Sequence, residues 1–169
     1  TMNVQQELEL SSELQRLLVL LKMNTSVYNI ETRVGLNGKT YIMEVSPRGG
    51  GNRLSEMIRY ATGVDLITAA VRASVGDAIQ NIEQKPYHGH WAEIVLHADK
   101  NGTFERLEIS NELTAEIVER DLWVKVGDKV DCFEGANNAI GMLILKFNTQ
   151  DELEHALVTQ REWLKVIVK

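Results

Sequence analysis

The sequence predicts an α+β protein, and three observations carry that expectation. Leu10, Leu14, Leu17, Leu18 and Leu21 recur at helical spacing. Residues 27–34 and 39–45 alternate around Asn37-Gly38, a strong short-range hairpin signal. Farther along, the apolar run IGMLILKF is followed by Thr149 and Glu152, spaced as a capping box. Strand pairs and helices in this mixture, without a regular strand–helix alternation, argue for antiparallel sheets flanked by helices.

The leucine spacing places the first helix at about residues 6–23; Ser12 with Gln15 fits a capping box and offers an alternative start for its regular part. The Asn37-Gly38 hairpin follows. Beyond three glycines, Leu54, Met57, Ile58 and Ala61 predict a short helix that Asn52 is placed to cap and Gly63 to end. A second helix carries Leu66, Ala69, Ala70 and Val71 before Gly76. Pro86 and Gly89 then interrupt the pattern, and WAEIVLHA, DKNG and TFERLEI read as a second hairpin. Residues 112–119 read as a short helix, LWVKVGDKV as strand and turn, and IGMLILKF as a buried strand. A helix over 150–163 is expected to present Leu153, Leu157 and Leu164 to the sheet, and VIVK closes as a short strand. The change of character divides the chain into residues 1–84 and a smaller β-rich C-terminal module, 85–169.

Composition narrows the function classes. At 169 residues the chain has room for one ordinary domain or one and a half small ones. Eighteen basic residues against 24 acidic ones leave a net charge of −6, and the basic residues are scattered, so a nucleic-acid partner is not expected. No apolar run approaches a membrane-spanning length, so no membrane partner is expected either. A lone cysteine, Cys132, cannot form an intrachain disulfide and reads as a small core residue; this suits a reducing, cytoplasmic setting. His88, His90 and His97 lack the cysteine pair that would complete a zinc site, and His155 reads as solvated on a polar helix face. Trp91, Trp123 and Trp163 read as core or interface anchors.

The chemistry gathers in YNIETRVGLNGKTYIMEVSPRGGGN, residues 28–52. With Asn37 and Gly38 as the two central turn residues, Leu36 faces Lys39, Val34 faces Tyr41, Arg33 faces Ile42 and Thr32 faces Met43. Glu31 then faces Glu44, and on the same face Asn29 stands opposite Ser46. Cross-strand Cβ atoms lie about 5 Å apart. Two carboxylates at that distance repel by roughly 3 kcal/mol at an effective dielectric of 20. A shared proton, a neutralising arginine or a bound divalent cation would each relieve it, unless both side chains point to water on a solvated face. Magnesium takes oxygen ligands, so two carboxylates with a neighbouring amide or hydroxyl are suitable chemistry for it.

Directly after Glu44 come Ser46, Pro47, Arg48, Gly49, Gly50, Gly51 and Asn52, leading into a helix. A glycine run between strand and helix lets backbone N–H groups approach an anion closely, and an arginine grips phosphate in bidentate fashion. No Lys-Ser/Thr follows the glycines, so the loop is not a Walker A motif.

NIETRV, the hairpin, YIMEVSPRGGGN and then ATGVDL together resemble the C-terminal part of the ATP-grasp fold. That motif runs strand-Glu, turn, strand-Glu-x-Asn-x-Arg, then a glycine-containing segment and helices. The resemblance implies that Glu31 and Glu44 are ligands of magnesium (or manganese) bridging ATP phosphates, and that Arg48 contacts the transferred phosphate. Ser46 stands where the family usually has asparagine, and its hydroxyl can still ligate the metal. Gly49, Gly50, Gly51 and Asn52 would line the substrate side of the loop.

VKVGDKV and IGMLILKFNTQDELEHAL resemble in outline the region that follows this motif in the carboxylate–amine ligases. The resemblance therefore implies an enzyme that activates a small-molecule carboxylate as an acyl phosphate and joins it to an amine. The alternative is a non-catalytic regulatory or interaction module with a decayed metal site. The lysines and hinge that hold adenine in such enzymes have no counterpart in residues 1–26. The expectation is a fragment, inactive alone, whose partners are ATP, the two substrates and the N-terminal part of the same polypeptide. A homodimer is compatible with the resemblance.

Overall fold

The computed structural model describes residues 2–80, 82, 83 and 85–169. They form two compact units. One runs through Arg59 and resumes from Val64; the other holds Tyr60–Gly63 and Lys85–Lys169. Residue 84, where the sequence places a boundary, lies outside the described residues.

The first unit opens with helix α1, Val4–Leu20. Its cap is Asn3, not Ser12: the Asn3 side chain accepts from Gln6 N at 2.9 Å, and Gln6 Oε1 accepts from Asn3 N at 2.9 Å. Ser12 therefore lies in mid-helix, where its hydroxyl has no orphan N–H to satisfy. Strands β1, Asn29–Val34, and β2, Thr40–Ser46, form an antiparallel pair. The Gln6 amide donates to the carbonyl of Gly38 at 2.8 Å, tying α1 to the hairpin turn. Helix α2, Leu54–Thr62, follows, its residues from Tyr60 belonging to the other unit, and then helix α3, Leu66–Ser74. Asp65 caps α3 by accepting from Thr68 N and from Thr68 Oγ1, each at 2.9 Å, and those bonds hold its carboxyl below the usual carboxylate range.

The second unit holds two three-stranded antiparallel sheets. Its strands are β3, His90–His97; β4, Gly102–Ile109; β5, Ile117–Leu122; β6, Lys129–Val130; β7, Ala139–Phe147; and β8, Leu164–Val168. One sheet has the order β3-β7-β5, the other β6-β4-β8. The expected hairpin from WAEIVLHA to TFERLEI therefore does not form, because β3 pairs with β7 and β4 with β8. Burial explains the outcome. Strand β7 is buried on both faces from Ile140 to Leu145, so it takes the centre of a sheet and needs a partner on each side.

The core joins both sheets. Leu96, Leu143 and Leu145 pack with Phe104, Val168 and Trp163. Short helix α4 is Asn111–Thr114, shorter than the 112–119 expected, because Ile117 onward is drawn into β5 beside β7. The final helical stretch is two pieces, α5, Gln150–Val158, and α6, Gln160–Trp163. Leu153 packs against the core as expected, but Leu157 is exposed; Ala156 and Trp163 are the buried positions, and Leu164 is buried as the first residue of β8. Thr149 and Glu152 form the expected capping box. Trp163 anchors by donating from Nε1 to the carbonyl of Ala156 at 2.8 Å, whereas Trp123 is half exposed and donates to Asp121. Cys132 is a free, partly buried cysteine. Among the described residues no helix is long and apolar enough to cross a membrane.

Two substitutions test this packing by chemical denaturation. Leu143→Ala, at a fully buried position, is expected to cost about 2–5 kcal/mol. Thr149→Ala removes one capping bond and is expected to cost about 1 kcal/mol.

Candidate functional site

Glu31 stands directly opposite Glu44, and Asn29 opposite Ser46. The route to that register differs from the simple turn. The loop has three residues, Leu36, Asn37 and Gly38, closed by Gly35 N donating to the Lys39 carbonyl at 2.9 Å. Gly38 takes the left-handed conformation, φ 76°, that this loop class requires after its type I turn. Lys39 N is held by Asn37 Oδ1 at 3.1 Å. The inner pairs are consequently Val34 with Thr40, Arg33 with Tyr41 and Thr32 with Ile42, each one residue off the expected partner. A β-bulge then leaves Met43 as the extra residue of β2, and the register returns at Glu31 and Glu44. The turn and the bulge cancel.

Both glutamates are exposed, whereas Asn29 and Ser46 are half-buried. The Ser46 hydroxyl donates to Glu44 Oε1 and fixes that carboxylate. All four side chains offer oxygen, the donor set a hard divalent cation takes. Among the described residues no group of three or more His, Cys, Asp or Glu is placed to hold a metal, so a cation here would rest on two carboxylates completed by neutral oxygens. The histidines do not converge: His90 Nδ1 lies 3.2 Å from Gln150 Oε1, and the His97 ring packs on Phe133.

From Ser46 the chain turns sharply, with Arg48 N donating to the Ser46 carbonyl at 2.8 Å. Arg48 is exposed, and its Nη1 donates to the carbonyl of Gly49 at 2.8 Å. The next two glycines are needed for space. A Cβ on Gly49 would stand 2.8 Å from Ser55 Oγ, and one on Gly50 only 2.5 Å from Leu54 Cδ2 and 3.3 Å from Asn29 Oδ1. Gly51 has open space around it. Asn52 and Arg53 both adopt positive φ, 53° and 62°; asparagine tolerates that region, whereas for Arg53 it costs about 1–2 kcal/mol.

Asn52 is therefore not the helix cap. The first helical bond of α2 runs from Met57 N to the Arg53 carbonyl at 3.1 Å, and a cap needs an extended backbone that Asn52 does not have. Arg53 Nε donates to Glu56 at 3.1 Å, which steadies that first turn. Sequence reasoning missed Ser55, the buried polar side chain beneath Gly49, and the left-handed Arg53. Serine in a helical run and an arginine before one give no signal of either role.

Comparison of the sequence with protein families gives no match, and comparison with curated proteins gives none either. Solved structures do match. Phosphoribosylglycinamide synthetase from Anaerococcus prevotii aligns with TM-score 0.75 and 22% identity, over 94% of this chain and 41% of that one. The L-amino acid ligase from Bacillus licheniformis aligns with TM-score 0.79 and 16% identity, over 100% and 42%. The biotin carboxylase domain of 2-oxoglutarate carboxylase from Hydrogenobacter thermophilus, a dimer in complex with MgADP, ADP and bicarbonate, aligns with TM-score 0.72 and 16% identity, over 99% and 38%.

The chain thus has the fold of ATP-grasp ligases, consistent with a C-terminal part of that fold. It spans about two fifths of the length of these structures.

The glycine loop makes a contrast that denaturation can read. Gly50→Ala forces a methyl into Leu54 and is expected to cost about 1–3 kcal/mol. Gly51→Ala meets nothing and is expected to stay within about 0.5 kcal/mol of the parent.

Proposed function

We propose that this chain is the metal- and phosphate-handling part of an ATP-dependent carboxylate–amine ligase. The observation that carries the reading is the cross-strand Glu31/Glu44 pair running directly into the Arg48 glycine loop. The likeness in fold to an L-amino acid ligase and a phosphoribosylglycinamide synthetase supports it. In the proposed reaction a carboxylate oxygen attacks the terminal phosphorus of ATP and ADP leaves. An amine then attacks the acyl carbon, and inorganic phosphate leaves.

Each element has a part in this. Glu31 and Glu44 hold magnesium or manganese, with Ser46 fixing the Glu44 carboxylate and lending its own oxygen. The bound cation supplies neutralisation of phosphate charge. Arg48 spends one of its five N–H donors on Gly49, leaving the rest of its fork for the transferring phosphate. Gly49, Gly50 and Gly51, with Asn52, bring backbone close to the anion where side chains would stand in the way. Catalysis in such a site is positioning and charge neutralisation. Adenine is held by polypeptide outside these residues, so the 169-residue chain alone is expected to be inactive.

Glu44→Gln in the whole protein tests the reading. ATP-dependent ligation is expected to fall about 10²–10³-fold, with Arg48→Ala falling comparably. Undiminished turnover in Glu44→Gln would sink the ligase mechanism. ATP-dependent ligation by residues 1–169 alone would overturn the fragment's inactivity. A whole protein without any nucleotide-dependent turnover would instead favour a regulatory or interaction module, the role compatible with serine at position 46.

A further inference from the structure

We propose that Asn29 is a fourth member of the cation site, supplying an amide oxygen from across the hairpin. The proposal rests on the metal reading above and goes beyond it. Asn29 and Glu31 are two residues apart on β1, so their side chains share one face. Their partners on β2 are Ser46 and Glu44. The four make a block, two by two, in which every side chain carries oxygen. The bulge lies between Glu31 and Thr32, so it does not disturb the block.

Within the block the oxygens are not equivalent. Ser46 commits its hydroxyl hydrogen to Glu44 Oε1, acting first as an orienting group. The same oxygen keeps its lone pairs and can serve as a short neutral ligand at the end of β2. An amide carbonyl is among the usual oxygen ligands of hard cations, and Asn29 brings one to the same row. Asn29 also lies next to the glycine loop, its Oδ1 3.3 Å from where a Cβ on Gly50 would stand. The amide is thus positioned between the acidic pair and the loop assigned to phosphate. Asparagine is depleted from strands, so strand stability does not account for it at this half-buried position.

The rival role is purely local, with Asn29 doing no more than bracing Gly50. Metal binding separates the two. Titration of the whole protein with Mn2+, read as loss of the free-ion electron paramagnetic resonance signal, needs no turnover. Glu44→Gln is expected to abolish binding, and Asn29→Ala to weaken it about tenfold. Asn29→Asp, which keeps an oxygen at that reach, is expected to bind at least as well as the parent. Ser46→Asn in the Asn29→Ala background is expected to restore binding by returning an amide from the opposite strand. Parent-like Mn2+ affinity in Asn29→Ala, or failure of Ser46→Asn to rescue it, overturns the proposal while Glu44→Gln still reports on the metal site. If Glu44→Gln also binds like the parent, the metal reading fails and this one falls with it. Circular dichroism on each variant checks the fold; should Asn29→Ala unfold, Asn29→Ser against Asn29→Asp carries the same comparison.

Discussion

Glu31 and Glu44 face each other across β1 and β2, with cross-strand Cβ atoms about 5 Å apart, and like charges placed directly opposite oppose the pairing. A hairpin would shed that repulsion by slipping one residue, which turns one glutamate to the other face. Here slippage is blocked at two points. The three-residue loop sets Gly35 against Lys39, and the bulge at Met43 adds the residue that brings Glu31 back opposite Glu44. Neither irregularity alone gives the pairing. Remove the bulge and Glu31 would face Met43. The hydrogen bond from Ser46 to Glu44 then fixes a carboxylate that would otherwise swing away from its neighbour.

The same register governs the loop beyond β2. With Ser46 opposite Asn29, the chain leaves the strand beside Asn29 and must turn at once into α2. Space there is so limited that Gly49 and Gly50 run against Ser55 and Leu54, and the remaining change of direction falls on Asn52 and Arg53 in left-handed conformation. Arginine has no steric excuse for that backbone. Its guanidinium reaches Glu56 in the first turn of α2, one interaction that offsets the cost. Strain of this kind collects where a loop is held for function rather than for ease of folding.

What the sequence reveals depends on whether the deciding interaction is local. The Thr149–Glu152 capping box is contained in four residues and forms as expected. The Glu31/Glu44 pairing was also legible, though through a turn of the wrong length whose error the bulge cancels. Long-range pairing was not legible. WAEIVLHA and TFERLEI are close in sequence and separated by a good turn, yet each finds its partner elsewhere. The reason lies in β7, whose unbroken apolar run takes a neighbour on each side; β3 supplies one and β5 the other. The demand of β7 also ends α4 early, since Ile117 is more useful beside Leu145 than in another helical turn.

Charge limits how much of a nucleotide site this hairpin can be. On the proposed reading the two glutamates cancel the charge of one divalent cation, which leaves Arg48 as the positive group of the glycine loop, while Arg33 on β1 and Lys39 at the turn are the other basic residues of the hairpin. A triphosphate carries several negative charges, so one guanidinium cannot balance it. Arg53, the next basic residue, is already engaged with Glu56. On that reading the remaining positive charge comes from groups outside the glycine loop. A chain that spans two fifths of the structures it resembles fits that division of labour. On the proposed reading it contributes the acidic, metal-holding side of the site.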